Sequence, residues 1–166
     1  GAGGVCSTRT VAGVGYPQLS VILNLRNAFP ECTILVDGGI RSSGDIVKAL
    51  AAGADAVILG SLFAPAKEAP GGRRWRWRRQ KGFYKEKILR GMASEAALTE
   101  NGKELNIEGE SVWIPEGPPV AKIVERLASG VRAGFGYLGA RDIAELQAKA
   151  QFVRITENGA REGFRR

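Results

Sequence analysis

Cys32-Thr33-Ile34-Leu35-Val36-Asp37-Gly38-Gly39-Ile40 is a short apolar, β-rich run that ends in a polar glycine turn. Strands of a parallel sheet are covered on both faces and read as continuous hydrophobic runs, so this stretch predicts a buried strand. Cys32, which opens it, reads as a small core residue. The next segment repeats the theme. Ser42 or Ser43 caps a helix through Asp45, Ile46, Val47, Ala49 and Leu50 that ends near Gly53, and Ala56-Val57-Ile58-Leu59 forms a second apolar strand stopping at Gly60-Ser61. Upstream, Leu19, Val21, Ile22, Leu23, Leu25 and Ala28 interleave with Ser20, Asn24, Arg26 and Asn27, a helical pattern closed by Pro30. Helix, strand, helix, strand with apolar strands is the order of β/α units on a parallel sheet, so an α/β fold is expected.

Both strands finish in glycine-containing polar turns. In a (β/α)8 barrel the C-terminal strand ends carry the site, and phosphate is often held after strands seven and eight. Backbone N–H groups of Gly38, Gly39, Gly60 and Ser61 are therefore expected to cradle a phosphate, since glycine permits close approach. Tight left-handed turns would place the same glycines there without a ligand. Either pair alone is a weak signal; two at successive strand ends are a stronger one.

Working further outward, the chain opens with Gly1-Ala2-Gly3-Gly4-Val5-Cys6-Ser7-Thr8-Arg9-Thr10-Val11-Ala12-Gly13-Val14-Gly15-Tyr16. One cysteine sits among small residues and hydroxyls, in a composition that predicts a loop rather than a helix or strand. A thiol held there, with Arg9 to favour thiolate, is a candidate nucleophile. The plainer alternative is an incidental cysteine in a glycine-rich segment.

Composition bounds the rest. The 166 residues make one ordinary domain, 44% hydrophobic and 25% charged, as in soluble globular proteins. The sequence contains neither a transmembrane-length apolar run nor a recognisable signal peptide. The two cysteines, Cys6 and Cys32, lie in different contexts and predict no disulfide framework, so a reducing cytoplasm is expected. Without histidine, this chain alone can form neither a His-ligated metal site nor a His-based triad. Beginning inside a functional-looking loop without Met, it reads as a fragment or as a coding sequence that opens abnormally.

The net charge of +7 is concentrated between residues 73 and 90, which hold nine cations against the single carboxylate Glu86. Within that segment Trp75 and Trp77 alternate with Arg74, Arg76 and Arg78. Lys81-Gly82 makes a turn, and Phe83 to Arg90 returns, which together predict a projecting hairpin. Interleaved Arg and Trp suit nucleic acid or an anionic membrane. Strand alternation alone gives that spacing, so neither partner is expected. Residues 99–119 are polar and turn-rich and read as a mobile flap. Val120, Ile123, Val124, Leu127, Val131 and Phe135 fall on one helical stripe stopping at Gly139. A short helix follows over Asp142 to Ala150, then a strand at Gln151-Phe152-Val153-Arg154-Ile155-Thr156 and a polar basic tail.

The opening loop, continued by Gly13-Val14-Gly15-Tyr16-Pro17-Gln18, resembles the catalytic-cysteine loop of the IMP dehydrogenase/GMP reductase family. The resemblance runs on in the family's order through Asp37-Gly38-Gly39-Ile40, Gly53-Ala54-Asp55-Ala56, Gly60-Ser61, Arg90-Gly91-Met92-Ala93-Ser94, Tyr137-Leu138-Gly139-Ala140 and Phe152-Val153-Arg154-Ile155-Thr156. It implies the C-terminal portion of a TIM (β/α)8 barrel from the sixth-strand loop onward. Residues 1–64 would hold the cysteine loop and last βα units, 65–119 an inserted hairpin finger and flap, and 120–166 the last barrel helix, a short helix and a terminal strand. By the same resemblance Cys6 attacks C2 of a purine nucleotide to form a thioimidate, while a nicotinamide cofactor (NADPH, or NAD in a dehydrogenase) carries hydride. Asp37 would hold the ribose hydroxyls, Gly38, Gly39, Gly60 and Ser61 the 5′-phosphate, and Gly91 and Met92 the base edge. Backbone carbonyls of Gly1, Gly3 and Cys6 would bind a monovalent cation such as K+.

Dehydrogenases of this family use an Arg-Tyr pair on the flap to activate water, and that dipeptide is absent from this sequence. Reductases place Glu-Gly ahead of the Pro before the last barrel helix and pair it with the Thr two residues after the cysteine. Glu108-Gly109, Pro115 and Thr8 match that pattern, and Tyr16 also leans that way. The resemblance thus implies a GMP reductase-like enzyme acting on GMP/IMP, with IMP dehydrogenase and an inactive nucleotide-binding fragment as alternatives. It further implies a homotetramer and a need for the N-terminal barrel half. Leu89 where the family usually has Tyr, Gly4 for a common Ser, and the Arg/Trp hairpin depart from the pattern.

Overall fold

The computed structural model describes residues 5–80, 82–91 and 111–163. A four-residue helix, α1 (Thr8–Val11), precedes α2 (Gln18–Ala28), β1 (Leu35–Asp37), α3 (Ser43–Ala51) and β2 (Ala56–Ile58). Then come β3 (Arg73–Arg78), β4 (Gly82–Arg90), β5 (Ser111–Pro115), α4 (Val120–Leu138), α5 (Ile143–Lys149) and α6 (Glu157–Gly163).

The expected β/α pairing is present. β1 and β2 run parallel, with Leu35 opposite Ala56 and Asp37 opposite Ile58. Ser42 caps α3 by accepting the Asp45 N–H, and its hydroxyl donates to Asp45 Oδ2 at 2.9 Å. Asp45 is held below the usual carboxylate range: burial opposes this, but hydrogen bonds from Lys48, Ser42 and the Arg41 N–H outweigh it. One core unites Ile22, Ile34, Val36, Ile46, Leu50, Ile123, Leu127 and Leu146.

Arg26 ties α2 to the sheet. Its guanidinium donates to the carbonyls of Gly53, Pro30 and Cys32 and pairs with Asp55 at 2.6 Å, while Asp55 Oδ2 also accepts the Ile34 N–H. Gly53, at φ +117°, is the residue that lets the chain turn beneath that side chain.

Against α3, α4 packs closely. A Cβ on Gly130 would stand 2.6 Å from Ser43 Cβ, and one on Gly134 would stand 2.7 Å from Val47 Cγ2. Glu68 accepts the first N–H of α4 at Val120, and Gly139, at φ +59°, ends the helix as expected. Asp142 caps α5 through the Glu145 N–H.

β3, β4 and β5 form a separate antiparallel sheet, the expected hairpin with an added strand. It is latched to the body at its root. Arg73 pairs with Glu116 at 2.9 Å, and the buried Lys87 ammonium donates to the carbonyls of Ala66 and Ala69.

Several expectations fail. Residues 111–115 are not flap but β5, paired with β4 from Glu86 to Arg90. Val112, Trp113 and Ile114 give the run the β-propensity that its surrounding prolines and glycines obscured. Residues 151–156 adopt no regular structure, and the tail after them forms α6. The cysteine loop contains α1, because Ser7 O accepts the N–H groups of Thr10 and Val11. Cys32 is exposed rather than in the core, and β1 and β2 are not covered on both faces: Leu35 is 61% and Ile58 49% exposed. Among the described residues each of these strands has one neighbour only, and the apolar side chains of Leu35 and Ile58 are exposed. An apolar hollow of about 390 Å³ between Leu25, Phe29, Cys32, Thr33, Ile34 and Leu35 lies on that uncovered side.

Candidate active site

Three chain segments meet at the C-terminal end of the parallel strands. Because Asp37 stands opposite Ile58, the Gly38-Gly39 turn and the Leu59-Gly60-Ser61 turn leave neighbouring strands side by side, about 4.8 Å apart in the sheet. Gly38 and Gly39 both have positive φ, +82° and +76°, a conformation open to glycine at little cost. After β2, Gly60 O accepts the N–H groups of Phe63 and Ala64, which bends the chain at once. A Cβ built on Gly60 meets nothing within 4 Å. The turn after β2 therefore presents backbone to open space at Gly60, as a phosphate cradle requires, while Gly38 and Gly39 are half-buried.

The cysteine loop is joined to the same end. Gln18, first residue of α2, donates from Nε2 to Asp37 O at 3.1 Å, so the exit of the loop is fixed at the tip of β1. Gln18 Oε1 is buried without a hydrogen-bond partner. Its side chain borders a pocket of about 140 Å³ lined by Gly39, Ile40, Asp45 and Lys48. The sequence marks Gln18 only as the last residue of the Gly13–Gln18 motif and assigns it no role; its polar side chain at the first position of an otherwise apolar helix face was the available signal.

Within the loop, Cys6 Sγ and Thr8 Oγ1 are 3.2 Å apart, Cys6 exposed and Thr8 half-buried. Arg9 has a described contact within the loop itself. Its Nη2 donates to Tyr16 O at 2.5 Å, and its side chain lies over Gly15, where a Cβ would come within 2.8 Å of Cδ. Arg9 thus closes the loop on itself. Asn24 Nδ2 completes the clasp by donating to the Tyr16 hydroxyl at 3.3 Å.

Of the remaining expected residues, Asp37 is exposed at the end of β1, and Gly91 follows β4 directly, half-buried. Gly1, Gly3, Met92 and Glu108 lie outside the described residues. Of the implied cation carbonyls only that of Cys6 is described, and among the described residues no group of three or more Cys, Asp or Glu could hold a metal. Nor, among them, is any helix long and apolar enough to cross a membrane.

Known proteins share this sequence pattern and fold. Residues 1–165 match the model of the IMP dehydrogenase / GMP reductase domain. The chain belongs to the IMP dehydrogenase/GMP reductase family. It is 46% identical to inosine-5′-monophosphate dehydrogenase of Aquifex aeolicus, over 98% of this chain and 34% of that protein. The enzyme of the same name from Thermoplasma acidophilum is 44% identical over the same shares. Among solved structures, a cysteine-to-alanine variant of Trypanosoma brucei GMP reductase in complex with guanosine 5′-monophosphate superposes with a TM-score of 0.86 at 40% identity, covering 99% of this chain and 35% of that one. The chain thus spans about a third of the length of the relatives it matches. That likeness gives the fold: part of a TIM barrel, with β1 and β2 as parallel barrel strands and the β3–β5 sheet as an insertion.

Proposed function

We propose that this chain carries the nucleophile and phosphate-binding portion of a purine-nucleotide oxidoreductase of the GMP reductase type. The observation that carries the reading is the 3.2 Å approach of Cys6 Sγ to Thr8 Oγ1. In reductive deamination the Cys6 thiolate adds to C2 of GMP. The exocyclic amino group leaves as ammonia, taking up a proton, and a thioimidate remains on the enzyme. A proton must therefore arrive where Thr8 stands, and a carboxyl such as Glu108 relaying through the Thr8 hydroxyl would supply it. A nicotinamide cofactor, NADPH for this direction, would provide the hydride that replaces sulfur at C2, releasing Cys6 and IMP. Gly38, Gly39, Gly60 and Ser61 would hold the 5′-phosphate on backbone N–H groups, Asp37 the ribose, and Gly91 with Met92 the base edge. The carbonyls of Gly1, Gly3 and Cys6 would take K+ if the site needs it. A reducing cytoplasm keeps such a thiol competent. We further read the working enzyme as a homo-oligomer, a tetramer by family resemblance.

The second reading is IMP dehydrogenase, making XMP from IMP with NAD, and the names of the curated relatives favour it. Against it stands the absence of an Arg-Tyr dipeptide. GMP plus NADPH against IMP plus NAD, assayed with and without a supplied N-terminal barrel half, separates the two. NADH formation from IMP with no NADPH oxidation by GMP would overturn the reductase reading.

A further inference from the structure

The antiparallel finger keeps a face that oxidoreductase chemistry does not use. Trp75 stands opposite Lys85 and Trp77 opposite Phe83, so all four share one side of the sheet. Strand alternation explains that spacing, but alternation that serves to bury an aromatic side would hide the rings. Instead Trp75, Trp77 and Phe83 are 65%, 60% and 76% exposed. The charge is equally uncommitted. Glu116 neutralises Arg73 and Glu86 neutralises Arg74, whereas among the described residues no carboxylate lies within 4.0 Å of Arg76, Arg78 or Arg79. Arg78 lies over the Tyr84 ring and Lys85 Nζ over Trp75, at 5.7 and 5.0 Å from the centroids.

We propose that the distal finger is a platform for single-stranded nucleic acid. Two residues along one strand face place Trp75 and Trp77 about 6.6 Å apart. That exceeds the spacing of stacked bases and suits bases splayed from an extended strand, each lying on its own ring as on other sheet-based readers. Lys85 stands among the rings and Arg79 follows them at the tip, and these two meet the phosphates; Arg76 and Arg78 stand on the opposite face with Tyr84. A duplex hides its base faces and cannot use the rings. A second copy would bring another cationic tip against this one, so charge complementarity selects a polyanion.

Fluorescence anisotropy of a labelled poly(U) strand of about 12 nucleotides, titrated with the whole chain, tests this. With two phosphates neutralised, the slope of log affinity against log salt is expected at about −1.4. The double variant Trp77→Ala/Phe83→Ala should weaken binding about tenfold or more and keep that slope. Arg79→Gln/Lys85→Gln should bring that slope close to zero. All these side chains are exposed, and a far-UV circular dichroism spectrum matching wild type checks that the variants fold. The proposal falls if wild type ignores the strand, if ring removal leaves affinity unchanged, or if duplex binds as tightly. It also falls if phosphatidylserine vesicles bind where poly(U) does not, or if sedimentation shows a dimer that Trp77→Ala dissolves.

Discussion

Cys6 Sγ stands 3.2 Å from Thr8 Oγ1, two residues on, at the start of a single helical turn. The turn exists because Ser7 O accepts two N–H groups, and it swings the Thr8 side chain back toward the thiol. A hydroxyl at that distance can pass a proton to a group leaving the carbon that sulfur has attacked. In the complete enzyme Cys6→Ala should abolish GMP-dependent NADPH oxidation. Thr8→Val, which keeps the shape and removes the hydroxyl, should lower kcat by about 100-fold while KM stays within about twofold. A Thr8→Val enzyme with unchanged kcat would remove Thr8 from the proton path.

Acid stability should reflect carboxylates held in their charged form. Hydrogen bonds from Arg141 and Lys149 lower Glu145 from 4.5 to about 2, and the Ile34 N–H with Arg26 lowers Asp55 from its ordinary value. Both groups bind protons more weakly folded than unfolded. Their stabilisation is complete above the unfolded pKa and disappears as pH falls through the folded one. Denaturant midpoints should hold steady above about pH 4.5 and decline toward pH 2. Glu145→Gln should flatten the lower part of that decline; an unchanged profile would show that the ion pairs do not persist in solution.

The close approach of α4 to α3 rests on two glycines one turn apart. Alanine would gain up to about 1 kcal/mol of helix propensity at either position. The overlap with Ser43 Cβ and Val47 Cγ2 works against that gain, because neither atom can move without its backbone or a neighbouring rotamer. Overpacking of this kind costs about 1–3 kcal/mol, so Gly130→Ala and Gly134→Ala should each lower the melting midpoint. Gly136→Ala, where a Cβ meets nothing within 4 Å, should leave it unchanged or raise it.

Lys87 is fully buried, and burial is the main cause that lowers its pKa. Its ammonium satisfies two carbonyls in the segment that connects β2 to the finger. Lys87→Met keeps the volume and leaves both carbonyls without a donor, at about 1–3 kcal/mol for each. Hydrogen exchange should then speed up in residues 61–70 and at the base of β4 before it does in α3. Uniform exchange across the chain would mean that the finger and body unfold as one.

Local chemistry made some elements legible in the sequence, while others depend on what lies across space. The α3 cap, the αL stop at Gly139 and the two glycine turns follow from side chains and backbone freedom within a few residues. The hairpin was equally readable from alternation. β5 was obscured because its partner, β4, is distant in sequence and its own five residues are bracketed by turn-formers. Cys32 and Leu35 read as core because apolar runs ordinarily find cover, and no local signal says when cover is lacking. The Arg9 contact was not legible either: its guanidinium donates to Tyr16 O, seven residues on, which no local pattern announces. Gln18 tied the site together through a contact nineteen residues away, beyond any spacing rule.

The uncovered sheet carries the last prediction. Leu35 and Ile58 point apolar side chains to solvent, and the hollow beside Cys32 is walled by Leu25, Phe29 and Ile34. A parallel edge that has no further strand among the described residues, beside such a surface, is a template for association. Alone in solution, the 166-residue chain should sediment as dimers or larger species, or melt without cooperativity. Added N-terminal barrel half should restore a single species and a sharp transition. Burial of a Leu or Ile side chain contributes about 1.5–3 kcal/mol, so Leu35→Ser should weaken that recovery by at least tenfold in half-saturating concentration. A monodisperse monomer with a cooperative melt and no response to the added half would show that this edge is stable uncovered.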